Sequence, residues 1–159
     1  MSVEVETRVD GPGASVHVDE AWDLKERIRQ DEGVLRQRWQ FFHDAYARST
    51  THLRLVDDDL IGFASTRRDG YLLFLAVAPG ARGERHGRRL VGEVAAEHGT
   101  VTCHARTTNE SALRFYRHLG FEVVRRVDRY YEDGGDAYYL RLGEMEGQSL
   151  LDRLSGLFG

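Results

Sequence analysis

Apolar and polar residues alternate with two different periods along this chain, and the period distinguishes its strands from its helices. Valine and polar residues alternate over Val3–Val9, as they do in a half-buried strand. Gly70–Pro79 is a nearly continuous apolar run, which is typical of a central strand. Apolar residues recur every three or four positions between Val34 and Arg48, and this spacing predicts a helix with one buried face.

The same analysis predicts the remaining elements and their order. They are a short strand at Ser15–Val18, a helix from a cap at Asp19 to about Gln30, a hairpin of His52–Asp57 and Leu60–Arg67, a helix over Leu90–Gly99, a strand over Thr100–Arg106, a helix after Asn109, and a hairpin of Glu122–Tyr131 and Ala137–Leu142. This order predicts a mixed α/β fold (α+β mixed) in which a central mixed sheet is flanked by helices.

The segment from His104 to Phe121 carries the clearest helix signals. Asn109 can cap the helix, because its side-chain oxygen can accept a backbone N–H of the first turn. Gly120 supplies a left-handed stop, after which Phe121 can fold back on the last turn. On the apolar face of this helix, Tyr116 places a phenol among hydrophobic neighbours, and this makes it a candidate functional residue.

A glycine-rich basic segment, Gly80–Arg89, separates the apolar run from the next helix, and we call it the anion loop. A loop that joins a strand to a helix N-terminus presents backbone N–H groups to a negatively charged ligand. Four side chains add positive charge, namely Arg82, Arg85, Arg88 and Arg89. We therefore predict that this loop binds a polyphosphate.

Composition and charge narrow the classes of partner. The chain has 159 residues, which suits one domain with a full-sized core. Its 26 acidic and 22 basic residues give a net charge of −4, which does not favour nucleic acid as a partner. No apolar run reaches membrane-spanning length and no signal peptide is evident, so we expect no membrane contact. The single cysteine, Cys103, cannot form an internal disulfide, which fits a cytoplasmic location.

The segment 144–159 lies beyond the predicted domain of residues 1–143. It carries an apolar stripe at helical spacing, formed by Leu150, Leu151, Leu154, Leu157 and Phe158. The stripe predicts an amphipathic helix that packs either on its own domain or on a second copy in a homodimer. Its polar side carries Asp152 against only Arg153, which disfavours a membrane-surface helix.

Taken together, these residues resemble the GNAT family of acetyl-CoA-dependent N-acetyltransferases, over roughly Leu60–Leu142. The family's pyrophosphate loop runs Arg/Gln-x-x-Gly-x-Gly/Ala, and the chain follows it from Arg82 to Gly87, except that Arg85 stands where the first motif glycine is usual. The family's second motif is matched by Asn109, Ala112, Phe115-Tyr116 and Gly120-Phe121.

The second half of the resemblance is most similar to protein N-terminal acetyltransferases, including the bacterial RimI type. Those enzymes carry a Glu or His twelve residues before the motif tyrosine, and His104 stands twelve residues before Tyr116. They also carry a tyrosine pair in the next hairpin and then Asp-Ala, which are matched by Tyr130-Tyr131 and Asp136-Ala137.

The resemblance implies an enzyme that transfers an acetyl group directly from acetyl-CoA to an amine, without a metal. It implies His104 as general base, Tyr116 as general acid, and Tyr130 and Tyr131 as contacts to the acceptor. The implied acetyl-CoA ligands are Leu75, Val77, Arg82, Gly83, Arg85, Gly87, Arg88, Asn109 and Tyr116.

Each role has a structural alternative. His104 can be an ordinary strand histidine that donates to a backbone carbonyl, and Tyr116 can be a core aromatic. The helix cap alone is a sufficient reason for Asn109. Cys103 precedes His104 on the same strand, so the two should point to opposite faces, and we interpret the cysteine as structural.

Three functions remain open from the sequence. The first is acetylation of protein or peptide N-termini, and the second is acetylation of a small amine. The third is a non-catalytic module that binds acyl-CoA, for which the replaced glycine at Arg85 leaves room. The presence of both His104 and Tyr116 argues for an enzyme.

Overall fold

The computed structural model describes residues 4–143. The predicted tail helix, with its possible homodimer contact, therefore lies outside the described residues. In chain order the elements are β1 (Val5–Asp10), α1 (Val18–Glu32), α2 (Trp39–Arg48), β2 (Thr50–Val56), β3 (Asp59–Thr66), β4 (Leu72–Val77), a short 3₁₀ helix (Pro79–Ala81), α3 (His86–His98), β5 (Val101–Arg106), α4 (Glu110–Leu119), β6 (Glu122–Val127) and β7 (Ala137–Leu142).

The described residues divide into two compact units, the first of which ends at Val94 and the second of which begins at Ala95. In the first unit, β1, β2, β3 and β4 pair in chain order as a four-stranded antiparallel sheet. Asp57 and Asp58 connect β2 to β3 with φ of 51° and 66°, the two left-handed residues that a type I′ hairpin turn requires. The core lies between α1, α2 and this sheet, and its largest fully buried side chains include Leu24, Phe42, Tyr46 and Phe63.

Gly62 of β3 explains how closely α3 approaches the first sheet. A Cβ atom at this position would meet the carbonyl oxygen of Ala76 at 3.1 Å and a methyl group of Leu90 at 3.3 Å. The absence of a side chain therefore lets the first half of α3 pack against β3 and β4. This contact fixes the end of α3 that follows the anion loop.

In the second unit, β7 lies between β5 and β6 in a three-stranded antiparallel sheet. Its buried side chains include Val101, Leu113, Leu119, Leu140 and Leu142. The predicted signals of α4 are confirmed: Asn109 caps it, Gly120 ends it in the left-handed region with a φ of 104°, and the Phe121 amide donates back to the Tyr116 carbonyl.

The predicted mixed α/β class is confirmed. The strands form two antiparallel sheets, where the pattern predicted one central mixed sheet. Hydrophobic periodicity predicts which segments are strands but contains no information on which strands pair, and this accounts for the difference. In the part of the chain that the structure describes, no helix is both long and apolar enough to cross a membrane.

Three local predictions in the first 50 residues are wrong. Ser15–Val18 is not a strand, since Val18 already belongs to α1, and Asp19 lies inside the first turn instead of capping it. The second helix begins at Trp39, after an irregular stretch in which Leu35 has a φ of 55°. The ammonium of Lys25, a fully buried residue of α1, donates to the Gln37 carbonyl and so holds this connection in a non-helical form.

Candidate active-site residues

Two residues of the anion loop have left-handed backbone conformations. Gly83 has a φ of 84° and Arg85 a φ of 68°. The Arg85 carbonyl accepts the first hydrogen bond of α3, from the Arg89 amide at 3.1 Å, so Arg85 is the residue from which the helix starts. Positive φ favours glycine, and this is the position at which the resembling family carries one. Arg85 therefore keeps the backbone shape of the motif at the cost of some strain.

The N-terminal turn of α3 supplies the donors that an anion needs. The first N–H groups of a helix have no partner within the helix, and the helix dipole places partial positive charge there. Gly87 lies buried in this turn, whereas Arg85 and Arg89 are exposed and Arg88 is half-buried. The predicted ligands Gly83, Arg85, Gly87 and Arg88 therefore lie together at one end of α3.

Arg82 forms an ion pair with Glu32, the last residue of α1. Its guanidinium donates two hydrogen bonds to the Glu32 carboxylate, at 2.7 and 2.6 Å, and a third to the Val77 carbonyl at 3.3 Å. The hydrogen bonds from Arg82 hold the pKa of Glu32 below its usual value. A phosphate that binds Arg82 would thus compete with a carboxylate that is already in place.

Leu75 and Val77 share one face of β4. Both are half-buried, and they alternate with the buried residues Phe74 and Ala76. This alternation gives the strand one fully buried face and one partly open face. The two predicted cofactor contacts are therefore on the face that remains accessible.

A buried arginine of β2 contacts a buried histidine of the anion loop, and the sequence pattern did not predict this pair. The Nε of Arg54 in β2 donates to the Nδ1 of His86, the first residue of α3, at 3.1 Å. Arg54 is 7% exposed and His86 is 6% exposed. The signal in the sequence was a charged residue, Arg54, between two leucines of a predicted strand. Charged residues are seldom buried unless a polar group pairs with them.

In the second unit, His104 lies among tyrosines. It is directly opposite Tyr139 in the β5–β7 register, with ring centres 4.9 Å apart. Tyr130 stacks on its ring almost in parallel, at 4.0 Å and an angle of 10°. Tyr131 meets Tyr130 edge to face at 5.0 Å. The structure thus brings His104, Tyr130 and Tyr131 together and adds Tyr139.

Tyr131 keeps its proton at neutral pH. Burial raises the pKa of its phenol to about 12, against the opposing effect of Arg106. The Arg106 guanidinium lies 3.9 Å from the centre of the Tyr131 ring and 3.1 Å from a carboxylate oxygen of Asp133. The hydroxyl of Tyr131 can therefore donate a hydrogen bond, and the Arg106 cation holds the Tyr131 ring in place.

Tyr116 lies on the other side of β5 from His104. It is buried, packs edge to face on Phe121 at 5.0 Å, and makes a side-chain hydrogen bond with Cys103. Burial raises the pKa of the Cys103 thiol to about 12, so this sulfur stays protonated, as expected of a structural cysteine. Adjacent strand residues point to opposite faces, and the structure therefore does not place the two candidate catalytic side chains on one face of β5.

Asn109 has a structural role that is complete by itself. Its side-chain oxygen accepts a hydrogen bond from the Ala112 amide at 3.1 Å and thereby caps α4. Among residues 4–143 no group of three or more His, Cys, Asp or Glu side chains is arranged to hold a metal ion.

Comparison with known proteins identifies related sequences and folds. Residues 47–123 match the family model described as an acetyltransferase (GNAT) domain. The N-alpha-acetyltransferase RimI of Mycobacterium tuberculosis is 37% identical over 92 residues, which are 52% of this chain and 58% of that protein. A Mycobacterium leprae protein is 39% identical over 94 residues but is covered over only 26% of its length. The matched part of this chain thus spans less than two thirds of the length of these curated relatives.

Solved structures share the fold over most of the chain. The ribosomal-protein-S18-alanine N-acetyltransferase of Escherichia coli superposes with a TM-score of 0.70 at 20% identity, covering 86% of this chain and 92% of that one. Arabidopsis thaliana Naa50, in complex with the bisubstrate analogue CoA-Ac-MVNAL, superposes with a TM-score of 0.61 at 25% identity, covering 85% and 97% of the two chains.

Proposed function

Since residues 47–123 match the model of the GNAT acetyltransferase domain, we propose that this chain is an N-acetyltransferase. It transfers the acetyl group of acetyl-CoA to a primary amine, and its preferred acceptor is the N-terminal amine of a protein or peptide. The observation that carries the proposal is the start of α3, where Gly83 and Arg85 adopt left-handed conformations within the matched segment and leave the first N–H groups of the helix to face a ligand.

Acetyl-CoA supplies an activated thioester. The pyrophosphate of the coenzyme accepts hydrogen bonds from the backbone at Gly83–Gly87, and the arginines of the loop add charge. Leu75 and Val77, on the accessible face of β4, contact the part of acetyl-CoA beyond the pyrophosphate.

The transfer needs a proton acceptor at the amine and a proton donor at the departing sulfur, and we assign these roles to His104 and Tyr116, one on either side of β5. The acceptor ammonium loses a proton to His104 before its nitrogen lone pair attacks the acetyl carbonyl carbon. The bond between this carbon and sulfur then breaks, and Tyr116 gives its phenolic proton to the departing sulfur. The nitrogen of the new amide loses its second proton, which restores the phenol of Tyr116 through water, and no covalent intermediate with the enzyme is required.

The preference for an N-terminal amine is supported by the residues around His104. Tyr130 covers the face of the imidazole, and Tyr131 holds a protonated hydroxyl nearby. These phenols offer hydrogen bonds to the backbone of a peptide. The M. tuberculosis relative is named as an N-alpha-acetyltransferase, and the ligand of the Arabidopsis structure joins CoA to a peptide sequence.

Calorimetric titration with CoA tests the binding step. We expect saturable binding by the wild type and weaker binding after Gly87→Val, because a branched side chain in the first turn of α3 would obstruct approach to the backbone. Gly11→Val is the matched control, since a Cβ atom there has no other atom within 4 Å and its φ is not positive. A folded wild type that shows no binding at about 1 mM CoA would contradict the proposal.

A further inference from the structure

We propose that Arg125 of β6 determines which acceptors the enzyme prefers, by binding the carboxylate of an acidic side chain at the second or third position of the acceptor peptide. Because the acceptor amine is taken to meet His104, this inference rests on the proposed function. Peptides with an acidic residue close to the N-terminus should then react faster than their neutral counterparts.

Arg125 lies in line with His104 across the three strands of the second sheet. In the strand register, Arg125 is opposite Tyr139, and Tyr139 is opposite His104. The centre of the Tyr139 ring is 4.9 Å from the centre of the His104 ring and 4.7 Å from the guanidinium carbon of Arg125. The three side chains therefore lie side by side on one face of the sheet. The guanidinium is no more than about 10 Å from the imidazole, which corresponds to two strand spacings of about 4.8 Å.

A register shift in β6 places Arg125 on this face. Val123 is opposite Leu140, which is fully buried on the other face of β7, and the pairing then shifts between Val123 and Arg125. Without the shift, Arg125 would point to the same side as Val123, because strand residues two apart share a face. The irregularity therefore re-aims the arginine to the side of the sheet that carries His104.

The positive charge of Arg125 is not offset within the described part of the chain. Arg125 is exposed, its guanidinium packs on the Tyr139 ring, and among the described residues no carboxylate forms an ion pair with it. The next residue, Arg126, points to the opposite face and pairs with Asp128 and Asp136. Two adjacent arginines thus differ in that only Arg126 has carboxylates from its own hairpin.

Two further arginines on the strands of the His104 face have acidic neighbours. The Arg106 guanidinium lies 3.1 Å from a carboxylate oxygen of Asp133. Arg141 is directly opposite Glu122 in the β6–β7 register, which places a negative charge beside it. Of these three arginines, Arg125 is therefore the one whose charge is available to a carboxylate from another molecule.

A guanidinium that stacks on an aromatic ring keeps its edge open to a carboxylate. The ring contact fixes the plane of the group. The N–H donors at the edge can then form two parallel hydrogen bonds with the two carboxylate oxygens. An extended peptide advances by about 3.4 Å per residue. With its N-terminal amine at His104, an acidic side chain at the second or third residue can reach Arg125, whereas one at the sixth residue lies too far along the chain.

The test compares acceptor peptides that differ at one position. A neutral peptide receives a single glutamate at position two, three or six, and the same peptide with glutamine at that position is the reference. For the wild type, we expect kcat/KM to be about threefold to tenfold higher with glutamate than with glutamine at position two or three, the range of an exposed charge-assisted pair. At position six the two peptides should react almost equally.

Two variants of Arg125 identify the source of the preference. Arg125→Gln should remove most of it, and Arg125→Glu should reverse it, so that lysine is preferred to glutamine at the same position. Arg126→Gln is the matched control, because it removes the adjacent charge from the opposite face and should retain the wild-type preference. Each result is the ratio of two peptides for one protein, so a general loss of activity in a variant cancels.

The possible results separate the inference from the proposed function. If the wild type acetylates peptide N-termini with no preference for glutamate at positions two and three, or with an equal preference at position six, the inference is overturned and the proposed function stands. The same conclusion follows if Arg125→Gln keeps the full preference or if Arg126→Gln loses it equally. If the folded wild type acetylates no peptide, the proposed acceptor is wrong and the inference fails with it.

Discussion

Tyr116 has an observed packing role besides the chemical role that we propose for it. Its ring contacts Phe121 and Phe115, and its hydroxyl meets the thiol of Cys103. The ring was predictable from helical spacing, because Tyr116 falls on the apolar face of α4. Its hydrogen-bond partner was not, since the spacing of a helix says nothing about which strand residue it will meet.

Tyr116→Phe should lower turnover much more than it lowers the affinity for acetyl-CoA. The substitution keeps the ring and removes only the hydroxyl, and a proton donated in the transition state contributes about 10²–10⁴-fold. The measurements are kcat under conditions where chemistry is rate-limiting, and the dissociation constant of acetyl-CoA. Tyr138→Phe is the control, because Tyr138 is opposite Ala105 in the register, so it removes a phenol from the same side of this sheet as Tyr116 but has no role in the proposed reaction. An unchanged kcat would remove Tyr116 as the acid.

His104→Ala should lose most activity at neutral pH and recover part of it in alkaline buffer, where more of the acceptor amine is already deprotonated. General base catalysis accounts for about 10²–10⁴-fold, so a loss below tenfold indicates a positioning role or a water relay. The deciding measurement is the pH–rate profile. A variant that retains the acidic limb of the wild type would show that another group, or the amine itself, produces that limb.

At the scale of single elements, local signals were sufficient for α4 and insufficient for α2. Asn109, Gly120 and Phe121 all act within a few residues of one another, so their pattern fixed both ends of the helix. The start of α2 depends on Lys25, which lies 12 residues before the Gln37 carbonyl to which it donates. Interactions over such separations depend on the tertiary fold, and this explains why the predicted helix began too early.

The cap of α4 can be tested by stability. Asn109→Ala should lower the free energy of unfolding by about 1 kcal/mol, because the Ala112 amide loses its acceptor. Asn109→Ser should retain most of the stability, since serine is also a good cap. Chemical denaturation of the three proteins measures the differences. Equal midpoints for the wild type and the alanine variant would show that the cap does not contribute.

Two substitutions of Arg85 separate the effect of its backbone conformation from the effect of its charge. Arg85→Gly and Arg85→Ala both remove the guanidinium, but only glycine adopts a φ of 68° without strain. We expect the glycine variant to be more stable than the alanine variant by about 1 kcal/mol in chemical denaturation. If the Arg85 side chain contacts phosphate, both variants lose affinity for CoA to a similar extent. A glycine variant less stable than the alanine variant would contradict the strained conformation.

At the scale of the whole molecule, the sequence predicted the α/β class and most strand bounds, while the pairing of strands came only from the structure. The Arg54–His86 contact illustrates the reason. Its partners are 32 residues apart and lie on different elements, so no local periodicity connects them. The first sheet and α3 bring them together, and neither segment alone reveals the pair.

The most direct measurement is the position of the acetyl group after reaction with acetyl-CoA. A peptide with a free N-terminal amine and an internal lysine is incubated with the protein, beside the same peptide with a blocked N-terminus and a panel of small amines. Fragmentation mass spectrometry locates the added group, and release of free CoA measures the rate. We predict acetylation of the N-terminal amine, strongly reduced reaction with the blocked peptide, and slower reaction with the small amines. Acetylation of small amines in preference to every peptide, or no transfer by a folded protein that binds acetyl-CoA, would contradict the account.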